Sequence, residues 1–155
     1  MKVLLLLLLA APVGAETRIE LPNHTARQVA DVASWATVAT AMALDVQASW
    51  KCSDRVRCFE LQGARIGVGQ IAVFVAKLTV KRMRPCAPDC GIDNPNYSFF
   101  SGHTTLAFQT IGGAKLQVSI PLAASTGALR VAAGKHWVSD VLMGAGVGLL
   151  TSRIR

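Results

Sequence analysis

Three groups of residues in this chain combine fixed charge with proton carriers in a pattern suited to handling phosphate. The first is Lys77-Leu-Thr-Val-Lys-Arg-Met-Arg84-Pro85. Lys77 and Arg84 are seven apart, so on a helix they share one face, two turns from each other. Pro85 is expected to end that helix, since the residue before proline avoids the α region. A guanidinium offers two parallel donors to phosphate oxygens, and an ammonium adds a mobile point charge. Taken alone, the run reads better as a solvated basic helix end, which also accounts for Lys81 and Arg82.

The second group is Phe100-Ser101-Gly102-His103-Thr104-Thr105, directly before an apolar stretch. Ser101 is a natural N-cap, and Gly102 lets the backbone approach a ligand closely. A helix N-terminus presents free N–H groups and the positive end of the dipole, so an anion fits there. His103 in the first turn is placed to give a proton to a departing oxygen. The third group runs Leu129-Arg130 through Gly134-Lys135-His136 to Asp140. His136 and Asp140 are i and i+4, so on a helix the carboxylate reaches one ring nitrogen and leaves the other free to attack phosphorus. Arg130 precedes the break at Gly134 and can swing its charge to the same place. Singly, these two groups have plainer explanations: a capped helix with an incidental histidine, and a His–Asp pair that only braces a helix.

Together, in this order and spacing, the groups resemble the motifs of the type 2 phosphatidic acid phosphatase family, which includes bacterial acid phosphatases and vanadium haloperoxidases. Lys-x6-Arg-Pro is intact as Lys77 to Pro85. The family's Pro-Ser-Gly-His stands as Phe100-Ser101-Gly102-His103, and its Ser-Arg-x5-His-x3-Asp as Leu129-Arg130 through His136 to Asp140. The resemblance spans residues 60–150. It implies that Lys77, Arg84 and Arg130, helped by backbone N–H groups of Ser101 and Gly102, bind the phosphate. His136 would attack phosphorus, oriented by Asp140, and His103 would protonate the leaving group, with neither metal nor cofactor. Phe100 in place of proline is expected to loosen its loop, and Leu129 in place of serine to remove a hydroxyl from around the phosphate.

The elements that must position these groups are helical. Apolar residues from Val29 to Val46 recur at helical spacing over residues 25–49, with Thr25 as a candidate cap. Further helices are expected from Glu60 to Arg84, from Ser101 to Ile111, over 114–133 with Pro121 interrupting or starting it, and from Trp137 to Arg153. Gly63, Gly67 and Gly69 weaken the first half of the second. Between Cys86 and Phe100, proline, glycine and Asn/Asp residues mark a long loop, a length that usually signals function. The fold expected is all-α: a single bundle of about five helices over residues 16–155.

Residues 1–15 carry Lys2, a leucine run and small residues ending at Ala15, the pattern of a secretory signal peptide. Export suits the four cysteines, Cys52, Cys58, Cys86 and Cys90. An even count in an exported chain points to disulfides with three possible connectivities, of which the local pairs Cys52–Cys58 and Cys86–Cys90 are favoured. Zinc is disfavoured, because the spacings are not Cys-x-x-Cys and no histidine is close. The net charge of +7 suits a phosphorylated small molecule or an anionic lipid surface. Scattered basic residues with few aromatics among them argue against nucleic acid. Charges at Asp31 and Asp45, Arg65 and Lys77, and Lys115 and Arg130 cut the hydrophobic stretches below a clean membrane span.

The function expected is that of an exported, periplasmic phosphatase, with attachment to the inner membrane left open. It would act on a phosphate monoester or diphosphate. A lipid phosphate, such as phosphatidate or a polyprenyl diphosphate, is favoured over a soluble phosphomonoester because the stretch between Ala15 and Lys77 is short. A non-catalytic phosphate- or lipid-binding protein and a vanadium haloperoxidase are the remaining readings.

Overall fold

Alanine-rich stretches divided by Gly-, Pro- and Asn-containing turns form five helices in the computed structural model, which describes residues 19, 21–91 and 93–155. The expected signal peptide lies outside them. α1 spans His24–Trp50, α2 Arg55–Val80, α3 Gly102–Gln109, α4 Leu116–Ala132 and α5 Val138–Thr151, with a 3₁₀ turn at Thr110–Gly112. The described residues contain no strand, so the fold is the all-α bundle expected. Both disulfides are local, Cys52–Cys58 in the α1–α2 connection and Cys86–Cys90 in the loop after Pro85.

Helix ends differ from expectation where a side chain decides them. Asn23, not Thr25, caps α1, accepting from Thr25 N at 2.8 Å and Ala26 N at 3.4 Å. Asp54 caps α2 by accepting from Arg57 N at 3.0 Å, and the helix runs through its glycines unbroken, because tertiary packing outweighs their propensity cost of about 1 kcal/mol each. α4 likewise continues through Pro121. At its other end α2 stops at Val80, where Lys81 turns left-handed at φ 47°. The backbone beyond bonds the loop instead: Ser98 N donates to Arg82 O at 2.9 Å, and Arg84 N to Pro95 O at 2.7 Å. Lys77 and Arg84 therefore do not share a helix face, and Pro85 is not what ends the helix.

α3 lies directly against α5. A Cβ on Gly144 would sit 2.6 Å from Ser101 O, and one on Gly148 2.6 Å from Thr105 O, so the approach admits no side chain at either position. Apolar packing gathers in two clusters. Val73, Ala76, Phe99, Phe100 and Val147 form one, and Val38, Ala107 and Ala123 the other. Phe100 is fully buried and edge-on to Phe99 at 5.6 Å. The loop is thus anchored, not loosened, since a buried aromatic contributes large apolar area and favourable edge contact.

α1 and α2, with 27 and 26 residues, are long and apolar enough to cross a membrane by length and composition, despite the charges expected to disqualify them. Only 28% and 17% of their most apolar windows are buried. Val29, Val32 and Trp35 on α1, and Ile71, Phe74 and Leu78 on α2, are exposed. α5 is shorter: its 14 residues cover about 21 Å, less than the ~30 Å of a bilayer core.

Candidate active site

Lys77 stands in the last turn of α2 and Arg130 in the last turn of α4, so two helices bring their C-terminal ends to one place. Arg130 is almost fully buried. It does not swing: its Nη1 donates to Asp31 Oδ1 on α1 and, at 3.4 Å, to Ser34 Oγ. Arg84 is equally fixed, with Nε on Asn94 O at 3.0 Å and Nη1 on Lys135 O at 2.9 Å. Lys135 closes the network. Its Nζ bonds Asp93 Oδ2 at 2.8 Å and Cys90 O at 3.0 Å, and lies 3.6 Å from Asp31 Oδ2.

Gly134, at φ 68°, makes the turn between α4 and α5. His136 follows it and precedes α5, whose N-cap is Trp137. The His136–Asp140 spacing is therefore not a helical i,i+4 pair. Nδ1 of His136 is 2.7 Å from Ser98 O, against 3.8 Å from Asp140 Oδ2. A carbonyl only accepts, so Nδ1 carries the proton and Nε2 the lone pair. Asp140 acts one step removed. It accepts from Ser98 Oγ, from Trp137 N at 3.0 Å and from Arg82 Nη1 at 2.8 Å, tying the Ser98 loop to the start of α5. Burial works against its ionisation, but contact with His136 and the bonds from Ser98 and Trp137 hold its carboxyl below the usual range.

Ser101 caps α3 as expected, its Oγ accepting from Thr104 N at 3.4 Å and Thr104 Oγ1 at 2.9 Å. Of the two backbone donors anticipated, however, Ser101 N–H is taken by Asp140 O at 3.1 Å. The first turn leaves the N–H groups of Gly102 and His103 without carbonyls of the same helix. His103 Nε2 is buried with no hydrogen-bond partner among the described residues, and the ring meets the edge of Trp35 at 4.1 Å.

These groups sense one another's charge. Burial, then Arg84 and Arg130, lowers the Lys77 ammonium to about 8. Burial, then Arg130 and Lys77, lowers His103 to about 3. His136 is also lowered to about 3, by burial first, with Asp140 opposing and Arg130 and Arg84 adding to the shift. At neutral pH both imidazoles are therefore uncharged beside three cations. That arrangement attracts a multiply charged anion and offers it a neutral nitrogen nucleophile.

Lys77, Arg84, His103, Arg130, His136 and Asp140 are brought together. Asp31, Ser98, Asp93, Lys135 and Arg82 were missed. Asp31 had one signal, an acid inside an apolar helix. Arg82, assigned to a solvated helix end, is instead largely covered and paired with Asp140.

Within an all-α frame, the buried cations and two neutral histidines form one site whose charge suits an anion. A model of the PAP2 superfamily matches residues 62–155, and the chain belongs to that superfamily. Its members are generally phosphatases, with haloperoxidases among them. No curated protein and no solved structure matches the chain.

Proposed function

We propose that the protein is a metal-independent phosphatase that hydrolyses a phosphate monoester or diphosphate, a lipid phosphate above all, through a phosphohistidine on His136. The observation that carries this is the Nδ1–H bond from His136 to Ser98 O at 2.7 Å, which leaves Nε2 unprotonated, with Arg84 and Arg130 near the ring. Nε2 attacks phosphorus, the P–O bond to the alcohol breaks, and His103 gives its proton to the leaving oxygen. Water then attacks the phosphohistidine, His103 takes a proton back, the P–N bond breaks, and phosphate leaves. Arg84, Arg130 and Lys77 stabilise charge on the non-bridging oxygens throughout, the main source of catalysis in phosphoryl transfer. Burial and the neighbouring cations keep His103 neutral, with Asp93 opposing them only in part. A bound phosphate dianion cancels their repulsion and raises its affinity for the proton it must donate.

The exposed apolar faces of α1 and α2 support an exported enzyme that works against a membrane surface. Incubation with p-nitrophenyl phosphate, and with phosphatidate in detergent, is expected to release phosphate and leave a phosphoenzyme that is stable to alkali and labile to acid. Vanadate-dependent bromide oxidation without phosphate release would replace this reading with a haloperoxidase.

The Lys77 value gives a pH prediction. The protonated ammonium binds phosphate, and with its pKa lowered to about 8 it is lost as pH rises through that value. The kcat/KM profile is expected to descend above pH about 8. Lys77→Arg, whose guanidinium stays charged, should move that limb up by at least about one pH unit. An unmoved limb would assign it to another group.

A further inference from the structure

Among the described residues, two clefts border the site, and their linings differ in kind. One, of about 270 Å³, lies between the start of α1 and the Cys86–Cys90 loop and includes Arg27, Asp31, Asp89 and Lys135. The other, of about 210 Å³, opens between α1 and α2, lined by Trp35, Val73 and Leu106 together with Gln70, Lys77 and His103. The second holds the proton donor. A leaving oxygen must depart towards the group that protonates it, so the alcohol portion of the substrate belongs in the second cleft.

That cleft is apolar where it leaves the chemistry. Trp35 meets His103 edge-on at 4.1 Å, yet 59% of it is exposed. An indole so open is not part of the core; it offers a rigid apolar wall to something outside the chain. The rim continues in kind. Ile71, Phe74 and Leu78 follow at i, i+3 and i+7 beside the lining residues Gln70 and Lys77, and Val32 lies one turn before Trp35 on α1, all of them exposed. Around the first cleft the lining is charged instead.

We propose that the α1–α2 cleft receives the leaving alcohol, and that Trp35 is the specificity-determining residue that selects an apolar one, whether alkyl, prenyl or aryl. The assignment rests on the phosphohistidine reading and on His103 as proton donor. It adds the substrate portion that the cation bed does not read, since the bed contacts phosphate alone.

Monoalkyl phosphates from ethyl to octyl, kept below micelle-forming concentrations, test it, because their leaving alcohols hardly differ in acidity. For the wild type, kcat/KM is expected to rise with chain length, by at most about fourfold per methylene buried. Trp35→Ala should at least halve the slope of log kcat/KM against chain length, and Trp35→Phe should keep most of it. The proposal is overturned if the wild type shows no slope, if Trp35→Ala keeps the full slope, or if it lowers all chain lengths alike. In that last case Trp35 only supports His103. His136→Ala in the same series separates the two ideas. Loss of phosphate release at every chain length upholds the nucleophile whatever the slope does, and retention at every length removes it.

Discussion

Replacing His136 with alanine is expected to lower phosphate release by about 10⁴-fold or more, since removing a covalent nucleophile leaves only binding and charge stabilisation. The acid-labile phosphoenzyme should vanish with it. The substitution also strips Ser98 O of its partner, and an orphaned buried carbonyl costs about 1–3 kcal/mol. A lower midpoint in denaturant with an unchanged helical spectrum should therefore accompany the loss of activity. Release within tenfold of wild type from a folded variant would remove His136 from the mechanism. Ser98→Ala provides the contrast. It keeps the carbonyl that sets the tautomer and deletes the hydroxyl bound to Asp140.

Arg130→Ala has the next largest expected effect, about 10²–10³-fold in kcat/KM, the usual loss when one preorganised donor to transition-state charge is removed. Here the guanidinium is preorganised by Asp31, so the variant also leaves that carboxylate without its main partner. Breaking a fully buried ion pair costs about 3–5 kcal/mol. Asp31 is 25% exposed and keeps Lys135 at 3.6 Å, so a smaller cost, about 2–3 kcal/mol, is expected. Arg130→Lys should fall between, keeping the charge but not the fork. If Asp31→Asn and Arg130→Ala are independent in a double-mutant cycle of kcat/KM, Asp31 does not position Arg130 for catalysis. A loss below tenfold in Arg130→Ala would take Arg130 out of the phosphate site.

The candidate site residues were legible because their motifs are contiguous: Lys77 to Pro85, Phe100 to Thr105 and Arg130 to Asp140 each carry charge or proton carriers at fixed spacing. The geometry argued for them was not. Lys77 with Arg84, and His136 with Asp140, were paired as neighbours on one helix, yet α2 ends at Val80 and α5 begins at Val138. The candidate residues meet through turns at Lys81 and Gly134. The break at Gly134 was expected from its glycine, but a periodicity argument misses the turn at Lys81, because the backbone beyond it is bonded by Pro95 and Ser98. Asp31 lies 99 residues from Arg130, and no local pattern announces so distant a partner. Ser98 acts largely through its carbonyl, which every residue type has. Phe100 was misjudged because substituting a proline says what a loop loses, whereas its burial among Val73, Ala76 and Val147 shows what the loop gains.

The short crosslink between Cys86 and Cys90 does more than fasten a surface turn. Cys86 N donates to Gly134 O at 2.9 Å, Cys90 O accepts from Lys135, and Lys135 O accepts from Arg84. The crosslinked turn thus touches the stretch of backbone that delivers His136 and the residue whose carbonyl holds the Arg84 guanidinium. Disulfides form where thiols are oxidised, after export, and are rare where they are kept reduced. Under the proposed export, a newly made chain still inside the cell lacks this brace, and the proposed phosphatase site gains its last covalent support only on passage out.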